Sequence, residues 1–203
     1  MLTVLSPSEA KNLLDYAISL AEKNVSGNPL DSLMQMQLAQ VYDTSARFYY
    51  QDLKTFNYYS GRAIEAIDRS IEAGPGRVPT YLIKAQMQLV RGENEAALKT
   101  VAYAISLNPA YPEGHCRLAQ FNFFLKDNKN MVAALQKCID LGGIYDINSN
   151  SLLLTFLNGL MENKDYSRAL KIAERLAQLN VNDGEIWFNL AKLYLLSGEA
   201  SST

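Results

Sequence analysis

The sequence predicts an all-α chain built as a solenoid of helical hairpins. A spacing of 34 residues links Tyr81 to His115, Ala85 to Ala119, Gln86 to Gln120, Leu107 to Leu141 and Ala104 to Cys138. Within each period apolar residues recur at helical spacing, and Gly or Pro closes a segment before the next one opens. A fixed period of roughly 20 to 50 residues means units that bury their apolar faces only against neighbours. Function in such a chain is sought on a continuous surface.

The elements follow in order. Ser6 can cap the first helix, Pro7 suits its first position and Glu9 completes a capping box. Leu13, Leu14, Ala17, Ile18 and Ala21 then form one apolar stripe on a helix over 8–24. Asp31 or Ser32 starts a lengthened repeat over 32–75, with Leu33, Met36, Leu38, Ala39 and Tyr42 facing inward. Between Thr44 and Arg62 the register fails, because aligning Ala39 and Ala63 with their later equivalents leaves about twelve residues too many. Either both flanking helices are longer by a turn or two, or a loop folds over the solenoid. Gly74-Pro75-Gly76 stops the helix that carries Ala63, Ala66, Ile67 and Ile71.

Regular helix pairs are expected over 78–109, 112–143 and 150–181, with a short insertion from Ile144 to Ser149 before the third. One more first-type helix spans 184–196, and no second-type helix follows it in 197–203. Its flank remains a capping edge, pairs with another molecule, or marks where a longer protein was cut. The whole of 1–203 reads as one solenoid domain.

Composition narrows the function classes. With 48% hydrophobic and 20% charged residues the chain is too apolar to be disordered. Its net charge is −2, and Lys and Arg are scattered, which argues against a nucleic-acid footprint. No apolar run approaches the roughly 18 residues of a membrane span. Met1 to Ser6 lacks the character of a signal peptide. The expected location is cytoplasmic if the chain is complete and extracytoplasmic if it is the tail of a membrane protein. Cys116 and Cys138 match no zinc spacing and are expected to be free thiols acting as small apolar residues, leaning towards a reducing compartment.

Catalytic chemistry finds no foothold. His115 has no Cys or Asp placed to use it as a base and reads as a structural histidine. Glu93, Glu95, Asp165 and Glu174 read as helix-end or surface charges. No phosphate-cradling loop, nucleophile elbow or metal-binding helix motif is present. The chain is therefore expected to be no enzyme and to use no cofactor or metal.

The residues that carry the period resemble the tetratricopeptide repeat (TPR). Trp187, Leu190, Ala191 and Tyr194 reproduce the pattern of its first helix, and Ala97, Ala104 and Pro109 that of its second. Leu118 with Ala119 and the run Asp165 to Leu170 fit as well. Lys84, Gly143 and Val181 depart from the pattern without blocking a helical hairpin. The resemblance covers roughly residues 30 to 199 and implies a right-handed α-α superhelix. Sel1-type repeats are similar helical pairs. Gly74 to Tyr81, Ala110 to His115 and Leu141 to Tyr145 more narrowly resemble the soluble repeat tails of bacterial O-antigen ligase and polymerase-like membrane proteins. That resemblance implies envelope polysaccharide assembly, with the chemistry in a separate membrane domain.

The family's first helices line an inner groove, and the register nominates the residues that would face it. Fifth positions read Met36, Leu82, Cys116, Leu154 and Phe188, and ninth positions read Gln40, Gln86, Gln120, Asn158 and Lys192. An apolar row beside a row of amides suits the backbone and alternate side chains of an extended peptide. The expected partner is thus a protein or peptide, not nucleic acid. A carboxylate clamp is argued against, since Arg117 alone is cationic among its matching positions. Self-association through the uncovered last helix is a further expectation. Phe48, Tyr49, Tyr50, Tyr58 and Tyr59 either fill the lengthened repeat or make a second contact surface.

Overall fold

The structure, a computed structural model, describes residues 6–147 and 149–200. Met1 to Leu5, on which the leader reading rests, lie outside the described residues. Among those described are ten α-helices, one short 3₁₀ helix and no strand. In order they are α1 (Pro7–Gly27), α2 (Ser32–Phe48), α3 (Leu53–Ala73), α4 (Val78–Val90), α5 (Asn94–Leu107), α6 (Pro112–Phe124), α7 (Asn128–Asp140), the 3₁₀ helix (Gly143–Asp146), α8 (Asn150–Glu162), α9 (Tyr166–Leu179) and α10 (Gly184–Ala200). None is long and apolar enough to cross a membrane. The chain divides into two compact units, Met1–Leu107 and Asn108–Thr203.

In the first unit α2 packs on α3 and α4 on α5, while α1 lies against α2 and α3 against α4. The expected capping box opens α1: the Ser6 backbone N–H donates to Glu9 Oε2 at 2.8 Å, and the Glu9 N–H donates to Ser6 Oγ at 3.3 Å. Asp31 caps α2 by accepting from the N–H groups of Leu33 and Met34. The broken register resolves into long helices. α2 and α3 have 17 and 21 residues, against 13 and 14 in α4 and α5, so both partners of one hairpin absorb the extra length. Leu38, Ala39, Tyr42, Ala63, Ala66 and Ile67 form the core of that hairpin.

In the second unit α6 pairs with α7, α8 with α9, and α10 with α9. One contiguous apolar core runs from Cys116 to Leu193. The insertion after α7 is structural: Ile144 and Ile147 are buried in this core. The chain enters the 3₁₀ helix through Gly142, whose φ of +81° is strained for a residue with a Cβ. At Gly143 a Cβ would come within 2.5 Å of Cys116 Sγ, so only glycine fits.

The cysteines correct the sequence reading. Cys116 on α6 and Cys138 on α7 form a disulfide with their Cα atoms 4.9 Å apart, and neither is a free thiol. Their positions in the repeat face each other across one hairpin, which brings two Cβ vectors within bridging range.

Candidate protein-binding face

The ninth positions of the first helices all reach solvent. In the first unit Gln40 is exposed and Gln86 half-buried. In the second, Gln120 is half-buried while Asn158 and Lys192 are exposed. Gln120 Oε1 accepts from Arg117 Nη1 at 3.4 Å, leaving its NH₂ group to donate elsewhere. Arg117 itself pairs with Glu113 at 3.2 Å on the same helix, so its charge is already answered.

The fifth positions divide. Met36 is half-buried, its sulfur 3.9 Å from the Thr80 hydroxyl. Leu82 is 3% exposed and Cys116 5% exposed within the disulfide, so neither presents a side chain to a ligand. At Cys116 the disulfide gives the reason. A fifth-position side chain bonded to the second helix of its own hairpin points towards that helix, not away from it. Leu154 and Phe188 remain exposed, and Lys192 lies 5.3 Å over the Phe188 ring. Phe188 stands on α10, which is covered by α9 on one side only among the described residues.

The aromatic residues cluster at the tip of the α2–α3 hairpin. Tyr59 stacks on Tyr49 at 5.8 Å and on Tyr42 at 6.3 Å, and meets the Tyr58 edge at 5.1 Å. Phe48 packs edge-on to Tyr49 at 4.9 Å. Tyr49 and Tyr59 are thus interior to the cluster, while Phe48, Tyr50 and Tyr58 show much of their surface to solvent. Below it, Tyr42 donates to Glu22 and accepts from Arg62 Nη2 at 2.9 Å, linking α1, α2 and α3. Desolvation, then the Glu22 hydrogen bond, push the Tyr42 hydroxyl above its ordinary pKa.

His115 Nε2 lies 3.0 Å from the Pro109 carbonyl oxygen, a structural contact at the start of α6.

No family model matches the chain, and no curated protein matches it. Solved structures do. The TPR protein TTC0263 of Thermus thermophilus is 17% identical with a TM-score of 0.57, over 92% of this chain and 93% of that one. PilF of Pseudomonas aeruginosa is 16% identical with a TM-score of 0.63, over 95% and 82%. YrrB, a TPR protein with an unusual peptide-binding site, is 14% identical with a TM-score of 0.55, over 90% and 86%. The narrower resemblance to O-antigen ligase tails gains no support from these comparisons. At such identities the likeness speaks of the fold, and the fold of this all-helical chain is that of the TPR helical-repeat solenoid proteins.

Proposed function

We propose that the chain is a non-catalytic scaffold that binds a protein or an extended peptide on its first-type helices, at Gln40 and Gln86 in the first unit and at Gln120, Asn158 and Lys192 in the second. The observation that carries this reading is that each of these side chains reaches solvent, at one repeat position, on successive first helices. Amides both donate and accept, so those of each unit can pair with peptide backbone. Met36, Leu154 and Phe188 supply the apolar contacts; Leu82 and Cys116, being buried, support the helices behind them. The peptide-binding site of YrrB, on the same fold, supports the class of partner. Replacing Gln86 and Gln120 together by Glu should abolish capture on an array of extended peptides and leave the melting transition in place. Undiminished capture by that variant would refute the proposal.

Phe48, Tyr50 and Tyr58 form a second candidate surface, set on the packed pair Tyr49 and Tyr59. Tyr50→Ser with Tyr58→Ser separates contact from packing: lost binding at unchanged stability supports the surface, and lost stability refutes it. We also assign self-association to the uncovered side of α10. The disulfide favours an oxidising compartment over the reducing one expected from unpaired thiols. An extracytoplasmic location is one part of the alternative reading, a tail domain of a membrane protein.

A further inference from the structure

The α2–α3 and α4–α5 hairpins close by the same contact. Counting so that Ala39, Ala85 and Ala119 stand eighth, the fourth, eighth and eleventh residues of α2 and α4 are buried, and on α4 Tyr81 meets Tyr103 and Gln88 meets Thr100 of α5. On α2 these are Gln35, Ala39 and Tyr42, none more than 2% exposed. The partner's matching residues on α3, Ala63, Ile67 and Ser70, are fully buried. On α10 the same three positions are Trp187, Ala191 and Tyr194, and they are exposed, Trp187 at 47% and Tyr194 at 51%. α10 is a first-type helix that packs on the second-type helix before it, α9, where Tyr194 donates to Glu174 at 2.6 Å, and no second-type helix follows it among the described residues.

α1 is the opposite case. Pro29, Pro75 and Pro109 each precede Ala39, Ala85 and Ala119 by the same interval, so α1 stands to α2 as α3 stands to α4. α1 is thus a second-type helix, and its matching positions are Ala17, Ala21 and Asn24. None of these is fully buried. They line a groove between α1 and α2 of about 270 Å³, continued by a second hollow of about 290 Å³ that shares Ala17, Gln37 and Val41 with it. Its walls are mainly apolar, with Leu20 at the rim and Met34 at the side of α2.

We propose that this groove is the seat for α10 of a second copy of the chain, so that two copies complete one helical hairpin between them. The proposal takes up the self-association of α10 assigned above and names its counterpart. The two surfaces are complementary because they are the two halves of one repeated contact. α10 brings the bulky Trp187 and Tyr194 around the small Ala191, and α1 offers the small Ala17 and Ala21 that let two helices approach closely. The contact is heterologous, since α10 of one copy meets α1 of the next, and so it propagates head to tail. One helix against two is a small interface, which makes the association concentration-dependent.

The test is molar mass by light scattering on the full chain as concentration is raised. The wild type should grow beyond a dimer. Ala191→Arg on α10 and Leu20→Glu on α1 both change exposed residues, and circular dichroism should show unchanged folding. Each should weaken association roughly thirtyfold or more, the scale of a hot-spot loss. Mixed, the two variants should form a 1:1 dimer and nothing larger, because one keeps an intact groove and the other an intact α10. A wild type that stays monomeric overturns the proposal and leaves the α10 flank to a different partner or to a segment of a longer chain. Variants that associate like the wild type, or a mixture that stays monomeric, overturn it too. Gln40 lines the second hollow, but Gln86 and Gln120 lie outside both, so peptide capture read at those two is a separate readout and failure of either reading leaves the other standing.

Discussion

Among the described residues Gln35, Ser45, Ser60, Ser70, Thr80 and Gln88 are buried polar side chains of the first unit, whereas Asn122 is the corresponding residue of the second. Nearly all of the first group are paired. Ser70 Oγ donates to the Ser32 carbonyl at 2.6 Å while Ser32 Oγ donates to the Ser70 carbonyl at 2.9 Å, tying α2 to α3. Gln88 accepts from Thr100, and Ser60 accepts from Arg91. Gln35 donates to the Pro29 carbonyl, but its own Oε1 has no partner. The second unit instead closes an unbroken apolar core with a covalent bond. The difference teaches that one repeat template tolerates two ways of fastening helices, because each hairpin need only satisfy its own neighbours. Where polar groups are buried, the cost lies in leaving one unpaired; where the core is apolar, it lies in leaving a void.

The largest effect should therefore come from a cavity in the second unit. Phe156 is fully buried, and Phe156→Ala should cost about 3–5 kcal/mol. Hydrogen exchange should show the loss in α6 to α9 while α2 and α3 keep their protection. Equal loss in both units would break the comparison. Reducing the disulfide comes next. It closes a loop of 22 residues, and opening it should cost about 3 kcal/mol in the chain-entropy picture. Thermal melts with and without reductant check this, and the effect should vanish in Cys138→Ser. In the first unit Ser70→Ala should cost about 1 kcal/mol, since the half-buried Ser32 carbonyl loses a donor. Its loss of protection should be confined to α2 and α3.

Much of this was legible in the sequence, and what was not has definite causes. Hairpin spacing follows from Ala39, Ala85 and Ala119, and helix ends from Pro29, Pro75, Pro109 and the capping residues Ser6 and Asp31, because these are local signals. The irregular register allowed either longer helices or a folded loop over 44–62, and only packing decides between them. The disulfide was missed because a separation of 22 residues carries no pairing information by itself. The available signal was positional: both cysteines sit on one hairpin, and Gly143 beside them leaves room for the Cys116 sulfur. Missing that apposition also misplaced Cys116 among the fifth positions. Solvent access at the ninth positions was legible, since Gln and Asn on a helix surface need no partner to explain it.

The smallest effect concerns pH. Arg168 on α9 donates to both Asp140 carboxylate oxygens on α7 at 2.7 and 2.8 Å and to Asp165 at 2.9 Å. The Arg168 hydrogen bond holds the Asp140 carboxyl below its ordinary pKa. Desolvation raises that of Asp165, but hydrogen bonds from Gln136 and Arg168 outweigh it and leave it lowered. A carboxylate lowered in the folded state stabilises it above the unfolded pKa, and that contribution is lost as pH falls through the folded value. The loss thus falls in the acid range, below about pH 4. In the first unit Glu9 and Asp52 are also lowered, by hydrogen bonds from Ser6 and Thr55, yet both are fully exposed caps on their own helices. Acid should therefore fray the first turns of α1 and α3 but loosen α7 from α9. Hydrogen exchange at acid and neutral pH should show that contrast, and Arg168→Met should remove most of the acid response of α7 and α9. An acid response shared evenly between α3 and α9 would mean that the charge network fastens no helix to another. The helices of the second unit would then be held chiefly by its apolar core and disulfide.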